Sequence, residues 1–505
     1  MVRSVSWNYL GYVLEFLSGL LLTAYVVRRI PVHDFGIYLL ANSVAAFIYL
    51  LEFGMGNILV PLYVSTLARK GIAEVSRLAS TVFVVLFAAG VGGAAIVSLA
   101  GLITPGLLRM PHAETALAVR VLIVMSIATA FALPQVAVEQ LCQAFHRFDR
   151  VNQVQIAAVV VRAGFTVAVL MAGKGILALA AVQVGVVVLR LAGLWTLAPA
   201  AISGLSLRLC FDRELLSKAI HMSKWAFADD ISHRIALNTE PVVLAALGSF
   251  EQVALFGVGS KLPAHLYQFA ARGMSVLIPT LSKHHAEGDT VQLRSTFSSV
   301  FRVSLTGLAP LSIFAMICAP SLIRIWAGEA YMGAAPVLAW LLVSSLSMAV
   351  ALPSDMVLYS HGLIPKAARF SILQTAGKIG VAVALASRYG AIGVAAGVAI
   401  WHWSINLFVY LPAACRVAEM SPGELWRSTL IRKGRQVEND RRANLIQGVA
   451  FIICAALLAS GMVVLRAPAM FVACVLVSLV YAGIWAACTA LPMWRRARLE
   501  AAAAP

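Results

Sequence analysis

The chain has 505 residues, of which 61% are hydrophobic and only 12% charged, against about half apolar and about a quarter charged in soluble domains. That balance excludes a soluble globular fold, so the net charge of +17 is read by position and not as a nucleic-acid signature. Mostly apolar stretches of roughly 20 residues, the length a helix needs to cross a bilayer, recur from Trp7 to Pro492. The expected fold is all-α: a polytopic membrane protein.

Fourteen spans are predicted, at 6–28, 35–63, 79–103, 119–142, 152–172, 176–199, 219–247, 252–281, 296–319, 335–360, 369–387, 390–412, 446–465 and 469–492. The first is too long for a signal peptide, carries Glu15 and has no small-residue cleavage site. Residues 1–200 and 219–412 then form two pseudo-symmetric six-helix lobes joined by a cytoplasmic linker at 201–218, an organisation common among alternating-access carriers. A basic cytoplasmic loop follows at 413–445, and 446–505 holds two extra spans and a basic tail. The interiors of those last two spans are free of charge, which places them at the lipid-facing periphery.

Within the basic loop, Ser421, Pro422 and Glu424 fit an N-cap, a first-turn proline and a capping-box carboxylate. Leu425, Trp426, Thr429 and Leu430 extend this into a short interfacial helix, either an anchor on the lipid surface or a dock for a cytoplasmic glycosyltransferase.

With the N-terminus inside, 24 Lys and Arg residues fall on the inner side and 8 on the outer. A bias of that size fixes orientation with both termini cytoplasmic. The seven cysteines form no CxxC pair, so neither a disulfide framework nor a metal site is expected. No break is long enough for a nucleotide-binding domain, no HExxH motif or catalytic carboxylate pair occurs, and no cofactor is called for.

The ionisable residues inside the spans carry most of the functional information. Arg162, Arg190, Arg234, Lys261, Arg272, Arg302 and Lys378 would together cost on the order of 20 kcal/mol if central and unpaired, at about 3 kcal/mol each. On the eighth span Lys261, His265, Gln268 and Arg272 follow at i, i+4, i+7 and i+11, a single helical face on a span that lacks Asp and Glu. Spans five, six and eleven repeat the pattern with Asn152, Gln155, Arg162 and Thr166, with Gln183 and Arg190, and with Ser371, Gln374 and Lys378. The acids are Glu15, Glu52, Glu139, Asp355, Asp229, Asp230 and Glu240, and span seven aligns Asp230 with Arg234 and Asn238.

One reading has these charges pairing across helices to staple the bundle. The other has them line a water-filled cavity for an anion with a large hydrated remainder, such as a pyrophosphate bearing sugars. On the second reading Arg162, Arg190, Arg234, Lys261, His265, Gln268, Arg272 and Lys378 are the candidate substrate contacts. Glu15 and Asp230 are candidates for ion coupling, with a permanent ion pair as the alternative.

Short landmarks run along the chain: Asn8-Tyr9 and Gly11, Arg28-Arg29-Ile30-Pro31, Asp34-Phe35-Gly36-Ile37-Tyr38, Glu52-Phe53-Gly54-Met55-Gly56, Leu255 to Leu262, Trp326 to Tyr331 with Ala335 to Leu338, and Tyr389 to Ala395. In this order they resemble the oligosaccharide-lipid flippases of the multidrug/oligosaccharidyl-lipid/polysaccharide exporter superfamily, in the polysaccharide transporter or O-antigen flippase (Wzx-type) branch. Glu52 stands where that family more often has Asp.

The resemblance implies a central cationic cavity alternating between the two faces of the cell inner membrane. The cargo would be an undecaprenyl-pyrophosphate-linked oligosaccharide repeat unit for O-antigen (lipopolysaccharide) or exopolysaccharide assembly. Implied partners are that lipid-linked oligosaccharide, membrane lipids, and a polysaccharide polymerase and glycosyltransferases, with no nucleic acid. The lipid II flippase branch is a weaker resemblance, because its early arginine-bearing signature is missing from the first span. A drug or cation antiporter of the same superfamily is the first rival, although cationic cargo calls for an acidic cavity. A membrane enzyme such as an O-antigen polymerase is the second, although it needs a large outer loop.

Overall fold

The computed structural model describes residues 15, 17–107, 112–275, 278–430, 478 and 480–481, and its regular elements are all helical. The two spans expected at 446–465 and 469–492, apart from isolated positions, lie outside the described residues. The chain divides into two compact units, Met1–Ala254 and Leu255–Pro505.

The first unit runs through α1 (Leu17–Val27), α2 (Val32–Ala46), α3 (Met55–Lys70), α4 (Ile72–Leu107), α5 (His112–Ala132), α6 (Gln135–Ala144), α7 (Phe148–Met171), α8 (Ile176–Ala201) and α9 (Arg213–Leu247). Its core joins Leu59, Tyr63 and Leu86 from α3 and α4 to Leu133, Leu141 and Leu194, all nearly inaccessible. The expected span at 35–63 is two helices. A 3-10 turn at Phe47–Glu52 extends α2, and then Phe53 (φ 54°) and Gly54 (φ 67°) both enter the left-handed region and start α3 afresh. Averaged hydropathy gives no notice of this break, because apolar residues on both sides outweigh Glu52 and Asn57.

The linker residues 202–212 lie along α4. Their backbone N–H groups at Ser206, Arg208 and Asp212 donate to the hydroxyls of Ser76, Ser80 and Thr81 at 3.1–3.2 Å. Asp212 then accepts from the N–H groups of Glu214 and Leu215, capping α9, and pairs with Arg77 of α4 at 3.0 Å. These bonds hold the start of α9 within the first unit.

Continuing from the end of the first unit, α10 (Phe250–Ser275) leads into α11 (Ile278–Ala286), α12 (Thr290–Ile317), α13 (Ala319–Trp326), α14 (Ala334–Ser360), α15 (Ile364–Ile405), a π-helical turn at Asn406–Tyr410, α16 (Leu411–Val417) and α17 (Pro422–Leu430). In the second unit α14 packs against both α12 and α15. Two of the sequence landmarks meet here: a Cβ on Gly259 would lie 2.8 Å from the Val337 side chain, so only glycine lets α10 approach α14 this closely. The expected boundary between spans eleven and twelve is a bend inside α15, where Gly390 takes φ 57° and ψ −144°, a conformation that glycine alone adopts without strain.

Among the described residues, eight helices are long and apolar enough to cross a membrane: Val32–Glu52, Ile72–Leu102, Thr115–Ala144, Phe148–Met171, Ile176–Ala201, Thr290–Ile317, Ala334–Ser360 and Pro365–Val417. Large apolar side chains such as Ile96, Leu99, Val160, Phe165 and Phe408 face outward, which suits a hydrocarbon surround and not water. The chain is a multi-pass all-α membrane protein. By length α9 and α10 equal these spans, but they carry the polar residues that set them apart.

Candidate functional site: buried charges in the two units

In the first unit the landmark Glu52 to Gly56 builds an ion-pair centre. The left-handed break at Phe53 and Gly54 turns the chain so that Glu52 Oε1 accepts the Gly56 N–H at 2.9 Å, in the first turn of α3. A carboxylate there suits both the free N–H groups and the positive end of the helix dipole. Gly56 must stay small, since a Cβ would come within 2.3 Å of that oxygen.

The other carboxylate oxygen of Glu52, itself 4% exposed, accepts from Arg234 Nη2 at 2.6 Å, while Arg234 Nε donates to Asp230 Oδ2 at 2.5 Å. Arg234 also lies over the Tyr49 ring, 5.1 Å from its centroid. A second pair joins Arg190 of α8 to Glu139 of α6. Tyr49 is near enough to both pairs to feel the charges of all four partners, and Glu139 is within electrostatic reach of Glu15, whose side chain is exposed.

Arg162 of α7 is arranged differently. Its Nε and the Gln155 Oε1 two turns earlier are buried with no hydrogen-bond partner. Its charge acts on Tyr38, and no carboxylate is paired with it among the described residues.

In the second unit a polar cluster occupies the interior of α14 and α15. Lys378 is 7% exposed and close enough to His402 for its charge to act on the imidazole. His402 Nδ1 lies 2.6 Å from Ser344 Oγ, and Asn406 Nδ2 donates to Ser347 Oγ at 2.9 Å. Asn406 opens the π-helical turn, a distortion often found where backbone geometry serves a function. Trp401 donates to the Gln374 carbonyl at 2.9 Å, which locks the two arms of α15 together around Lys378. On α10, Lys261 and His265 are half-buried and Gln268 is exposed. The Arg272 side chain lies outside the described residues.

The structure therefore brings Arg234 together with Asp230, fastens Arg190 to Glu139 and, among the described residues, gives Arg162 no acid. Glu52, Glu139 and Tyr49 in the first unit, and His402, Ser344, Ser347 and Asn406 in the second, join these centres without having been singled out as site residues. For Glu52 and Glu139 the signal was an acid within a span, and its partner lies 182 and 51 positions away. Among the described residues no group of three or more His, Cys, Asp or Glu is placed to hold a metal ion.

The family model described as polysaccharide biosynthesis protein matches residues 26–336. No curated protein matches the sequence. The structure of the lipid II flippase MurJ in an inward closed conformation superposes with a TM-score of 0.68 at 12% identity, covering 96% of this chain and 99% of that one. An inward-facing multidrug resistance MATE family transporter of the MOP superfamily gives 0.65 at 15% identity, over 82% of this chain and 96% of that one. A MOP superfamily transporter from Pyrococcus furiosus, described as having a binding pocket of reverse polarity, gives 0.54 at 13%, over 83% and 96%. At such identities the likeness is one of fold.

Proposed function

This chain belongs to the polysaccharide biosynthesis protein family, and on that premise we propose that it flips an undecaprenyl-pyrophosphate-linked oligosaccharide repeat unit. The direction is from the cytoplasmic to the outer leaflet of the cell inner membrane, by alternating access, with both termini cytoplasmic. The product feeds O-antigen or exopolysaccharide assembly, in sequence with glycosyltransferases and a polymerase, and the chain acts as a carrier rather than an enzyme.

The observation that carries this reading is Arg162, half-buried on the apolar span Phe148–Met171, whose inaccessible Nε has no hydrogen bond and which has no carboxylate partner among the described residues. A cation within a span is costly, and an anionic cargo group supplies a counter-charge. Lys378 and the Lys261, His265, Gln268 and Arg272 face extend the same role to the second unit, where polar contacts with sugars and phosphate are the expected use. Arg190 and Arg234, each held by a carboxylate, serve in this reading as partners that a proton or cation releases during the cycle, with Asp230 and Glu15 taking part in coupling.

A drug or cation antiporter is the second reading. The carboxylates Glu52, Glu139 and Asp230 gathered in the first unit favour it, because cationic cargo seeks acids. Deleting the gene and measuring surface polysaccharide together with the sidedness of lipid-linked oligosaccharide in spheroplasts separates the two. Loss of polymer with inward accumulation of the intermediate supports the flippase, and so does loss of export in Lys261→Ala and Arg272→Ala proteins that still insert. Normal polysaccharide with altered drug sensitivity supports the antiporter.

A further inference from the structure

Away from these charges, α12, α17 and the segment before α17 enclose a cleft of about 300 Å³ lined by Arg294, Ser295, Ser298, Ser299, Arg302 and Ser428, together with Met420 and the carboxylate-bearing Glu424. The four α12 positions Ser295, Ser298, Ser299 and Arg302 follow at i, i+3, i+4 and i+7 and so share one face. The cleft lies along the N-terminal part of the span Thr290–Ile317.

Both arginines are held in place by the segment that covers them. Arg294 Nε donates to the Ala418 carbonyl at 2.9 Å, with its Nη2 on the Glu419 carbonyl, and Arg302 Nη2 donates to the Ser428 carbonyl at 2.8 Å. Ser428 lies on α17. Neutral carbonyls orient a guanidinium without cancelling its charge.

Among the described residues, two carboxylates stand nearby. Glu419 reaches Arg294 only at 3.5 Å from a position 65% exposed, where an ion pair is weak. Glu424 directs Oε2 to the Ser421 N–H at 2.7 Å. Hydroxyls complete the wall, Ser428 Oγ donating to Ser298 Oγ at 3.0 Å across it.

Two oriented guanidinium groups and a serine-lined wall in a cavity of ligand size suit a phosphate. We propose that this cleft binds the anionic phosphate of a lipid presented at the membrane surface. The same chemistry is offered by an acidic phospholipid headgroup and by the pyrophosphate of a lipid-linked carrier. The proposal does not rest on the transport reading.

The test uses the full chain in nanodiscs of phosphatidylcholine doped with phosphatidylglycerol or with undecaprenyl pyrophosphate, counting retained lipid by native mass spectrometry. Ser295→Glu and Ser299→Asp each put a negative charge on the wall without removing either arginine clamp. Wild type should retain anionic lipid about tenfold over phosphatidylcholine, and each variant should lose that preference while melting as wild type does. Retention of both dopants identifies acidic phospholipid as a sufficient source. Retention of undecaprenyl pyrophosphate alone, competed by inorganic pyrophosphate, identifies the carrier. Equal retention of phosphatidylcholine by wild type, or unchanged preference in both variants, overturns the proposal.

Discussion

The two units answer the same problem, charge inside a membrane, in opposite ways. The predicted spans of the first set Arg28, Arg120, Arg162, Arg190, Lys224 and Arg234 against Glu15, Glu52, Glu139, Asp229, Asp230 and Glu240, and those of the second set Lys261, Arg272, Arg302, Arg369 and Lys378 against Asp355. In the first, acids and cations are equal in number and two arginines are tied to carboxylates across helices. In the second, cations outnumber acids, and Lys378 sits in a cluster of hydroxyl, amide and imidazole groups. Helix packing alone calls for neither arrangement.

The sharpest way to break this comparison is Arg234→Ala. It leaves Glu52 and Asp230 without their shared cation, and removing one partner of a buried pair costs about 3–5 kcal/mol. A large fall in melting temperature in detergent is expected, partly recovered when Glu52→Gln is added. An Arg234→Ala protein as stable as wild type would mean the first unit is not held by its ion pairs.

In the second unit Lys378→Met replaces a buried cation by an apolar side chain of similar length, a change that cores tolerate. Insertion and melting should hold while export falls tenfold or more. Undiminished export would remove the distinction in use between the units.

The smallest effect belongs to α17. The backbone N–H of Ser421 hydrogen-bonded to Glu424 holds that carboxyl below its ordinary value of 4.5, with Arg294 and Arg427 acting in the same direction. A depressed folded value means the contribution is complete above 4.5 and is lost as pH falls from there through the depressed value. Hydrogen exchange over 422–430 should quicken in that acid window in wild type, and Glu424→Gln should show no such dependence.

Much of this was legible in the sequence, and unevenly so. The capping box was readable because its residues are neighbours, and the structure has both of its bonds, Ser421 N–H to Glu424 and Glu424 N–H to Ser421 Oγ. The division of α15 was readable because glycine marks it. The break at Phe53 was not, since a left-handed phenylalanine leaves no pattern. The cross-helix partners were not either: pairing across helices was one of two readings, but that Glu139 is the acid that meets Arg190 and Glu52 the one that meets Arg234 is invisible to periodicity, which reports one helix at a time.

The π-helical turn at Asn406–Tyr410 bears on the phase of the helix that follows. Such a turn absorbs one residue more than an α-helix of the same rise, so its flanks stand as they would in a chain one residue shorter. Loss of the outward-facing Phe408, 78% exposed, would regularise the helix and leave Leu411, Ala414 and Cys415 turned to the core they occupy. Loss of a residue within a regular stretch of the same helix would instead rotate everything beyond it by about 100°.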